Sequence, residues 1–281
     1  MTSLSNLKIS FIGGGNMASA LIGGLIQQGA QASHISVADP YEPTRQNLEK
    51  NFKIATTANI QGLTEKIKEA DILVLAVKPQ QFKEAAAELL SVFNQSPNKP
   101  LCLSVAAGIR TQDMARWLNH TRLIRAMPNT PALIGQGMTG LFASPEATQE
   151  DRINAESICS AVGEITWVDN EKQIDDITAV SGSGPAYVFA FIEALEKAAI
   201  AQGLGADQAR LLATQTVLGA ATLASQSTES PGILRERVTS KGGTTYAALQ
   251  VLEKLNWASI IGAAVAAASA RGAEMGEEFG Q

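Results

Sequence analysis

The eight residues that set the fold are Phe11-Ile12-Gly13-Gly14-Gly15-Asn16-Met17-Ala18, near the start of a chain of 281 residues. They form a Gly-x-Gly-x-x-Ala pattern after a short apolar run, residues 8–12, and at the start of a helical apolar pattern, residues 17–28. In dinucleotide-binding domains the first glycine makes the tight turn and the second lets the backbone approach a pyrophosphate, while the last small residue keeps the helix close to the sheet. We therefore predict that this turn holds a pyrophosphate at the helix amino terminus, with these contacts: Gly13, Gly14, Gly15, Asn16, Met17 and Ala18.

Apolar runs alternate with helical patterns along the rest of the first half. Further strands are predicted over residues 35–38, 53–56, 71–77, 101–105 and 123–127. The continuous aliphatic run before Pro79 is typical of a strand buried on both faces, as in a parallel sheet. Gly29 fits the end of the first helix and Pro43 the first turn of the second. The alternation indicates βαβ units and an α/β Rossmann domain with a doubly wound parallel sheet.

From about residue 148 apolar residues recur at helical spacing over long stretches. Helices are predicted over residues 186–202, 206–225, 245–255 and 258–272, with a short one from about Pro231. A short strand over residues 164–168 closes the first domain. We expect a dinucleotide-binding domain over residues 1–168 and an all-α domain over residues 169–281. The Ala-rich stretch 262–270 suits either a buried internal helix or a subunit interface, because small side chains let helices approach closely.

Composition excludes several classes of function. The chain has 22 basic and 27 acidic residues, a net charge of −5, so it has no electrostatic footprint for nucleic acid or an anionic membrane. Cys102 and Cys159 form no C-x-x-C motif, and with two histidines no metal-site spacing is present, so no metal is expected. We see neither a signal peptide nor an uninterrupted membrane span, and expect a soluble cytoplasmic protein.

Asp39 ends the second predicted strand, 21 residues after Ala18. An acidic residue at this place commonly binds the ribose 2′-hydroxyl of NAD and repels the 2′-phosphate of NADP, so the local chemistry favours NAD. Two alternatives stay open. In one, Arg45 binds a phosphate, and in the other Asp39 only forms the turn before Pro40.

Two more strand ends belong to the edge where ligands of open α/β sheets bind. Residues 76–79 follow the strongest strand, and residues 104–108 follow the next with small side chains that leave room for a nicotinamide and its ribose. Lys78 is alternatively an ordinary solvated lysine.

Two segments stand out in the helical half. Residues 181–187 are explained by a helix start, with Ser183 as cap and Pro185 in the first turn, and they are not a Gly-x-Ser-x-Gly elbow. Residues 238–246 contain a Ser-x-Gly-Gly-Thr-Thr loop before a helix. Its N–H groups and hydroxyls predict a receptor for a small carboxylate or phosphate. The alternative is a capped turn with Thr244 as N-cap.

These motifs resemble those of the pyrroline-5-carboxylate reductase family over nearly the whole chain. The matching segments are residues 11–18, 75–79, 104–108, 125–131, 181–187 and 238–245. The last is the most specific, because Ala248-Leu249 and Leu252-Glu253 follow it as in the family. The resemblance implies reduction of 1-pyrroline-5-carboxylate to L-proline by hydride transfer from NADPH or NADH, the last step of proline biosynthesis.

The resemblance also implies further site residues. It adds to the cofactor contacts Asn59, Ala76, Val77, Lys78, Pro79, Ala106, Ala107 and Gly108. It implies a substrate site made of Glu171, Ser240, Thr244 and Thr245, to which we add the N–H of Gly243. Thr245 is the expected catalytic residue, with its hydroxyl on the ring nitrogen. Family members mostly prefer NADPH, which conflicts with the interpretation of Asp39.

The resemblance further implies dimers that interlock through their helical domains and often assemble into rings of five dimers. Two rival functions stay open. A reductase of the β-hydroxyacid dehydrogenase type needs a catalytic lysine, for which Lys197 is the candidate near mid-helix. A non-catalytic NADP-binding sensor keeps the glycine turn but has no need of residues 240–245.

Overall fold

The computed structural model describes residues 4–96 and 99–280. By its internal contacts the chain divides into two units. One comprises Met1–Ser183 together with Ala268–Gln281, and we call it the sheet unit. The other, Gly184–Ala267, is called the helical unit. The predicted domain boundary after residue 168 stays a prediction.

In the described part of the sheet unit, eight strands form one sheet. The strands are β1 Ile9–Ile12, β2 Ile35–Ala38, β3 Ala55–Thr57, β4 Ile72–Leu75, β5 Leu101–Ser104, β6 Leu123–Met127, β7 Gly137–Ala143 and β8 Gly163–Trp167. Their order is β3-β2-β1-β4-β5-β6-β7-β8. Neighbouring strands pair in parallel, except that β6 and β7 are antiparallel. From β1 the strand order runs to β2 and β3 on one side and to β4 and β5 on the other. This change in strand order next to β1 creates the crevice in which such sheets bind ligands.

Helices cover both faces of this sheet. They are α1 Asn16–Gln27, α2 Glu42–Phe52, α3 Thr64–Glu69, α4 Pro79–Phe93, α5 Thr111–Leu118, α6 Gln149–Cys159 and α7 Lys172–Ile177, followed by a π-helical turn, Thr178–Gly182. Alternate strand residues enter two separate core clusters. Phe11 and Val74 belong to one, while Ile12 and Leu75 belong to the other. This period of two is expected of strands that are buried on both faces.

Gly29 ends α1 as predicted. Its φ is +96°, and its N–H donates to the carbonyl of Ile26 over 3.1 Å. The N–H of Ala30 donates to the carbonyl of Leu25 over 2.9 Å. These two bonds are the Schellman pattern, which satisfies the last carbonyls of the helix.

Two predictions about the sheet need correction. The strand expected over residues 53–56 begins at Ala55, because Lys53 ends α2 in the left-handed conformation with a φ of +57°. The sheet is not wholly parallel, since the unpredicted strand β7 pairs antiparallel with β6. Gly137 and Gly140 in β7 weaken its strand signal, and a strand next to β6 without a crossover helix runs antiparallel.

The helical unit contains α8 Gly184–Ala201, α9 Ala206–Gln226, α10 Pro231–Arg237, α11 Thr244–Lys254 and the first part of α12 Trp257–Phe279. α8 and α9 are antiparallel neighbours by their short connection, and Ala209 and Ala213 are buried. Large apolar side chains are nevertheless exposed, among them Phe189 at 64% and Leu211 at 68%. The Ala-rich stretch 262–270 is mostly exposed too, which argues against a buried internal helix. Exposed apolar surface of this extent marks an interaction surface.

α12 continues past its predicted end at residue 272. Gly272 lies where a Cβ would be 3.6 Å from Cβ of Asp175, and Gly276 lies where it would be 2.8 Å from Nε of Arg110. These glycines therefore permit close packing instead of ending the helix. Among the described residues no single helix has the length and apolarity to cross a bilayer; α11 and α12 reach that threshold only when taken together across a 52° bend.

Candidate active site

The first βα turn is shaped by Gly13. Its φ is +94°, in the left-handed region that favours glycine, and a Cβ there would lie 2.6 Å from the carbonyl oxygen of Ala76. Its N–H donates to the carbonyl of Ala38 over 2.8 Å. The turn therefore brings the carboxyl ends of β1, β2 and β4 together, and no side chain fits at this position.

Gly15 leaves the amino terminus of α1 open. It is the N-cap residue, no side chain caps the helix, and a Cβ at this position would meet no atom within 4 Å beyond its own chain neighbours. The first helical bond runs from the N–H of Ser19 to the carbonyl of Gly15. The N–H groups of Asn16, Met17 and Ala18 thus have no acceptor in the helix, and with the helix dipole they make a site for an anion.

Asp39 holds the opposite side of the turn. Its Oδ2 accepts from the N–H of Gly14 over 2.7 Å, and its Oδ1 accepts from the N–H of Tyr41 over 2.8 Å. Nη1 of Arg45 donates to the carbonyls of Asp39 and Pro40 over 2.8 and 3.0 Å. The alternative in which Asp39 only forms the turn before Pro40 explains the bond to Tyr41 but not the bond to Gly14.

A cavity of about 660 Å³ opens at this edge of the sheet. Its volume lies within the range of small-molecule and cofactor sites. The predicted cofactor residues that line it are Gly13, Gly15, Asp39, Asn59, Ala76, Val77 and Lys78. Those that do not line it are Gly14, Asn16, Met17, Ala18, Pro79, Ala106, Ala107 and Gly108. The cavity, the open helix terminus and the glycine turn together fit a dinucleotide, while the individual contacts stay predictions.

One wall of the cavity was not predicted. It is formed by α4 through Gln81, Glu84, Ala85 and Glu88. These residues recur at spacings of three and four and therefore share one face of the helix. The signal was present in the sequence, because Pro79 marks the helix start beside the predicted strand end.

The loop after β5 is held by the end of α12. Gly108 has a φ of +76°, and a Cβ there would lie 3.0 Å from Cδ2 of Phe279. Nη2 of Arg116 donates to the carbonyl of Gly280 in the same terminal turn. The carboxyl-terminal turn thereby packs against the loop in which the small side chains predict room for a nicotinamide.

Glu171 lies in a buried cluster of charges. Its Oε1 accepts from the N–H of Thr111 over 2.8 Å, and its Oε2 accepts from the hydroxyl of Thr111 over 2.7 Å. Arg125, 2% exposed, reaches Oε1 of Glu171 at 3.4 Å and Oδ1 of Asp175 at 3.2 Å. Protein donors thus occupy both oxygens of Glu171, and its contact with a substrate stays a prediction.

Asn129 joins two of the motifs that the sequence presents separately. Its Nδ2 donates to the carbonyl of Ser181 over 2.9 Å, and its Oδ1 accepts from the N–H of Met138 over 2.9 Å. The side chain therefore ties the loop after β6 to the π-helical turn and to β7. The separation of 52 positions between Asn129 and Ser181 leaves no local signal from which this contact could be inferred.

In the helical unit, the predicted anion loop makes a tight turn before α11. Gly242 has a φ of +75°, and the N–H of Gly243 donates to the carbonyl of Ser240 over 3.0 Å. Gly243 is the N-cap and Thr244 the first helical residue, so the alternative with Thr244 as N-cap is wrong. No side chain caps this terminus.

The first turn of α11 offers unused donors. Its earliest helical bond runs from the N–H of Ala247 to the carbonyl of Gly243 over 3.1 Å. The N–H groups of Thr244 and Thr245 therefore have no acceptor in the helix, and both side chains carry hydroxyls. The N–H of Gly243, in contrast, is engaged with Ser240. Its place in the substrate site stays a prediction, as do those of the other loop residues.

Lys197 is not arranged as a catalytic lysine. Its Nζ lies 2.6 Å from Oε1 of Glu193 on an exposed helix surface. The hydrogen bond to Glu193 raises the pKa of Lys197 above its ordinary value, which keeps the ammonium protonated. This pairing is the ordinary i,i+4 contact of a solvated helix face.

Neither cysteine is placed for chemistry. Cys102 and Cys159 are buried and unpaired, and burial raises the pKa of each thiol to about 12. The reactive form of cysteine is the thiolate, so both thiols are inert in the folded chain. Within residues 4–96 and 99–280, no group of three His, Cys, Asp or Glu side chains is arranged to hold a metal ion.

Comparison with known proteins covers both halves of the chain. Residues 171–275 match the family model "Pyrroline-5-carboxylate reductase dimerisation", and residues 8–108 match "NADP oxidoreductase coenzyme F420-dependent". The pyrroline-5-carboxylate reductase of Vibrio alginolyticus is 43% identical over 98% of this chain and 100% of its own length. That of Pseudomonas aeruginosa is 41% identical over 99% of this chain and 100% of its own length.

Solved structures give the same result. A pyrroline-5-carboxylate reductase from Coxiella burnetii has a TM-score of 0.89 at 41% identity, over 96% of this chain and 98% of that one. The Plasmodium falciparum pyrroline carboxylate reductase with NADP bound has a TM-score of 0.83 at 27% identity, over 98% of this chain and 100% of that one. The predicted fold, a Rossmann domain followed by a helical dimerisation domain, is confirmed. On these grounds the chain belongs to the pyrroline-5-carboxylate reductase family.

Proposed function

We propose that this chain reduces 1-pyrroline-5-carboxylate to L-proline at the expense of NADPH or NADH, the last step of proline biosynthesis. The observation that carries the proposal is the open amino terminus of α1, where Gly15 leaves space for a pyrophosphate beside the large cavity. Family membership supports the choice of substrate.

The sheet unit supplies the groups that hold the cofactor. The N–H groups of Asn16 and Met17 have no acceptor within α1, and the helix dipole adds to their attraction for a pyrophosphate. Lys78 contributes a positive charge to the cavity wall, and Asp39 lies at the ribose end. When bound, the dinucleotide supplies the hydride that the reduction requires.

The loop over residues 240–245 supplies the groups that hold the substrate. The hydroxyl of Ser240 and the N–H groups of Thr244 and Thr245 are donors at a helix terminus, which favours a carboxylate as their ligand. Because the N–H of Gly243 already serves the turn, the free donors of α11 carry most of this task.

The chemistry needs little acid catalysis from the protein. A cyclic imine is basic enough to be partly protonated near neutral pH, and the iminium carbon is electrophilic. The hydroxyl of Thr245 both donates and accepts hydrogen bonds, so it orients the ring nitrogen and handles its proton. The main contribution of the chain is then to place donor and acceptor carbons at contact distance.

The chain is a self-associating protein, since residues 171–275 match a dimerisation model and the helical unit exposes many apolar side chains. As the finer arrangement, we propose a dimer formed by these helices, assembled into a ring of five dimers in the cytoplasm. Sedimentation equilibrium tests the ring. A mass near ten times 29.5 kDa supports it, whereas a mass near twice that value contradicts it.

The activity is tested with the purified chain, 1-pyrroline-5-carboxylate and each reduced dinucleotide. We expect loss of reduced-nicotinamide absorbance with an equal yield of L-proline. The Lys197→Ala variant is the matched control, because the β-hydroxyacid dehydrogenase alternative requires that lysine and the proposed reaction does not. Cofactor binding without proline formation contradicts the proposal and favours the sensor.

A further inference from the structure

The last turn of α12 lies against the loop that follows β5, residues 105–110, which we call the β5 loop. Both segments belong to the sheet unit. We propose that Phe279, in this turn, is a positioning residue for the nicotinamide half of a bound dinucleotide, because it holds the β5 loop in place. The inference rests on the proposed function for its effect on turnover, while its effect on binding is measured without substrate.

The strand order places the β5 loop at the nicotinamide end of the crevice. A dinucleotide on the first βα turn has its pyrophosphate at β1 and the ribose of its adenosine at the end of β2. Its other half therefore extends to the opposite side of β1, over the ends of β4 and β5. The N–H of Val105 donates to the carbonyl of Leu75 over 3.0 Å, so the β5 loop begins directly beside the end of β4.

Phe279 packs directly against the main chain of the β5 loop. Gly108 has a φ of +76°, and a Cβ there would lie 3.0 Å from Cδ2 of Phe279 and 3.3 Å from Cβ of Met275. The ring also packs against the core cluster that contains the buried side chains of Ala106 and Ile109. Removing the ring therefore leaves a space into which the main chain of the loop can shift.

Two arginines fix the turn that carries this ring. Arg110, in the β5 loop, reaches the carbonyl of Ala273 with Nη2 at 3.5 Å, and a Cβ at Gly276 would lie 2.8 Å from its Nε. Arg116, in α5, donates from Nη2 to the carbonyl of Gly280. These contacts keep the terminal turn on the loop, so the fold defines the position of the ring.

Three glycines at intervals of four residues let the end of α12 come this close. Gly272, Gly276 and Gly280 lie on the same face of the helix and of the turn that ends it. A Cβ at Gly280 would lie 2.6 Å from Oδ2 of Asp113. Glycine is unfavourable in a helix relative to alanine, so this face gives up helix stability for close contact with the β5 loop and α5.

A small shift of the β5 loop is enough to impair the reaction. Hydride transfer requires the donor and acceptor carbons at contact distance, and a displacement of about 1 Å can lower the rate about 100-fold. Because Phe279 acts only through the β5 loop, its replacement should affect the nicotinamide half of the dinucleotide and spare the adenosine half.

Calorimetric titration with NADP⁺ and with 2′,5′-ADP, without substrate, tests this difference. The second ligand carries the adenosine with its 2′- and 5′-phosphates but lacks the nicotinamide and its ribose. Phe279→Ala should weaken NADP⁺ binding about tenfold and change 2′,5′-ADP binding by less than about twofold. Equal weakening of both ligands, or no weakening of either, would overturn the proposal.

Phe52→Ala is the matched control. It removes the same partly buried ring from the end of α2, where a Cβ at Gly23 of α1 would lie 3.3 Å from Cε1 of Phe52. We expect this variant to lose stability while the ratio of the two dissociation constants stays unchanged. A change in that ratio as large as the one in Phe279→Ala would assign the effect to general loosening of the sheet unit and refute the proposal.

Two further variants keep the test decisive. Phe279→Leu retains an apolar side chain on the loop and should recover most of the affinity for NADP⁺. If Phe279→Ala does not fold, Arg116→Gln removes the donor to the carbonyl of Gly280 from a side chain that is 58% exposed. It should weaken NADP⁺ about threefold and leave 2′,5′-ADP unaffected. An unchanged ratio in Arg116→Gln would then overturn the proposal.

Hydrogen exchange measures the same coupling from the other side. If the β5 loop and the terminal turn support each other, occupation of the nicotinamide end stabilises the turn by reciprocity. The amides of residues 276–280 should therefore exchange more slowly with saturating NADP⁺ than with saturating 2′,5′-ADP. Equal protection by the two ligands contradicts the coupling.

Kinetics separate this inference from the proposed function. If the unaltered chain does not turn over 1-pyrroline-5-carboxylate but Phe279→Ala weakens NADP⁺ selectively, the activity is removed and the role of Phe279 stands. If the unaltered chain is active and Phe279→Ala keeps both its kcat and its ratio of dissociation constants, the activity stands and the role of Phe279 is removed.

Discussion

Thr111 donates twice to Glu171, from its backbone N–H over 2.8 Å and from its hydroxyl over 2.7 Å. Thr111 is the first residue of α5, and the preceding Arg110 provides no side-chain cap. The carboxylate therefore caps this helix from 60 residues away in the sequence. An anion at that terminus also interacts favourably with the helix dipole.

We expect Glu171→Ala to act on stability. The change removes the cap of α5 and leaves Arg125 with one carboxylate partner, Asp175, so the free energy of unfolding should fall by about 1–3 kcal/mol. Urea denaturation measures this loss. The family resemblance predicts instead a contact with the substrate, which would raise the KM for 1-pyrroline-5-carboxylate while the denaturation midpoint stays unchanged.

Thr245→Ala should lower kcat by about 100-fold or more, the usual size for loss of a proton-handling group. The fold of α11 should persist, because alanine is a better helix former than threonine. Steady-state assays at saturating cofactor measure the effect. Thr245→Ser, which retains the hydroxyl, is the control and should keep most of the activity; unchanged turnover in the alanine variant would exclude Thr245 from the mechanism.

Gly13 and Gly15 should respond differently to the same methyl group. Gly13→Ala places it against the carbonyl of Ala76 at a positive φ, and we expect a loss of about 2–5 kcal/mol of stability. Gly15→Ala meets open space at a φ of −64°, so its stability should change by less than about 1 kcal/mol.

We expect the Gly15→Ala variant to lose dinucleotide affinity although it keeps its stability. The methyl group of Gly15→Ala occupies the space beside the first N–H groups of α1, so affinity should fall at least about tenfold in a folded protein. Thermal denaturation and calorimetric titration of both variants check the pair. Full affinity in Gly15→Ala would remove the pyrophosphate from this turn.

Asp151 should make the fold sensitive to acid. Burial raises the pKa of this carboxyl, but hydrogen bonds from Arg122 and Thr148 outweigh burial and hold the pKa below its ordinary value of 3.8. The unfolded chain then binds the proton more readily than the folded chain. The stabilisation is therefore complete above about pH 5 and is lost as the pH falls through the folded-state pKa.

Asp151→Asn should reduce the loss of stability at acid pH and lower the free energy of unfolding by about 1–3 kcal/mol near neutral pH. Urea denaturation midpoints between about pH 3 and pH 7 provide the measurement. Glu146→Gln, an exposed change in the segment before α6, serves as the comparison and should leave the loss of stability at acid pH unchanged. If the denaturation midpoints of both variants fall equally steeply as the pH is lowered, the acid sensitivity comes from other carboxylates.

The sequence predicts best where a local pattern and the tertiary structure agree. The aliphatic run before Pro79 contains β4, although the strand ends at Leu75 because Ala76 turns to meet Gly13. Strand β7 was missed because two glycines interrupt it and its stability comes from pairing with β6 and β8. Such pairing is non-local and leaves little trace in single-sequence periodicity.

In the candidate site, too, local features could be predicted from the sequence and contacts between distant residues could not. The glycine turn could be predicted, since its residue types are required by backbone geometry within eight residues. The contacts of Glu171 could not, because its partners lie far away in the sequence, Thr111 at the start of α5 and Arg125 within β6. The bond from Gly14 to Asp39 was equally hidden, as it joins two loops across the end of the sheet.

The two buried thiols can report transient local unfolding of the sheet unit. Cys102 belongs to the core cluster on one face of the sheet and Cys159 to the cluster on the other. A thiol-specific reagent therefore reacts only with molecules whose sheet unit has transiently opened, and the modified position records which face was exposed. The helical unit contains no cysteine, so an engineered thiol there can be labelled without first replacing the native ones.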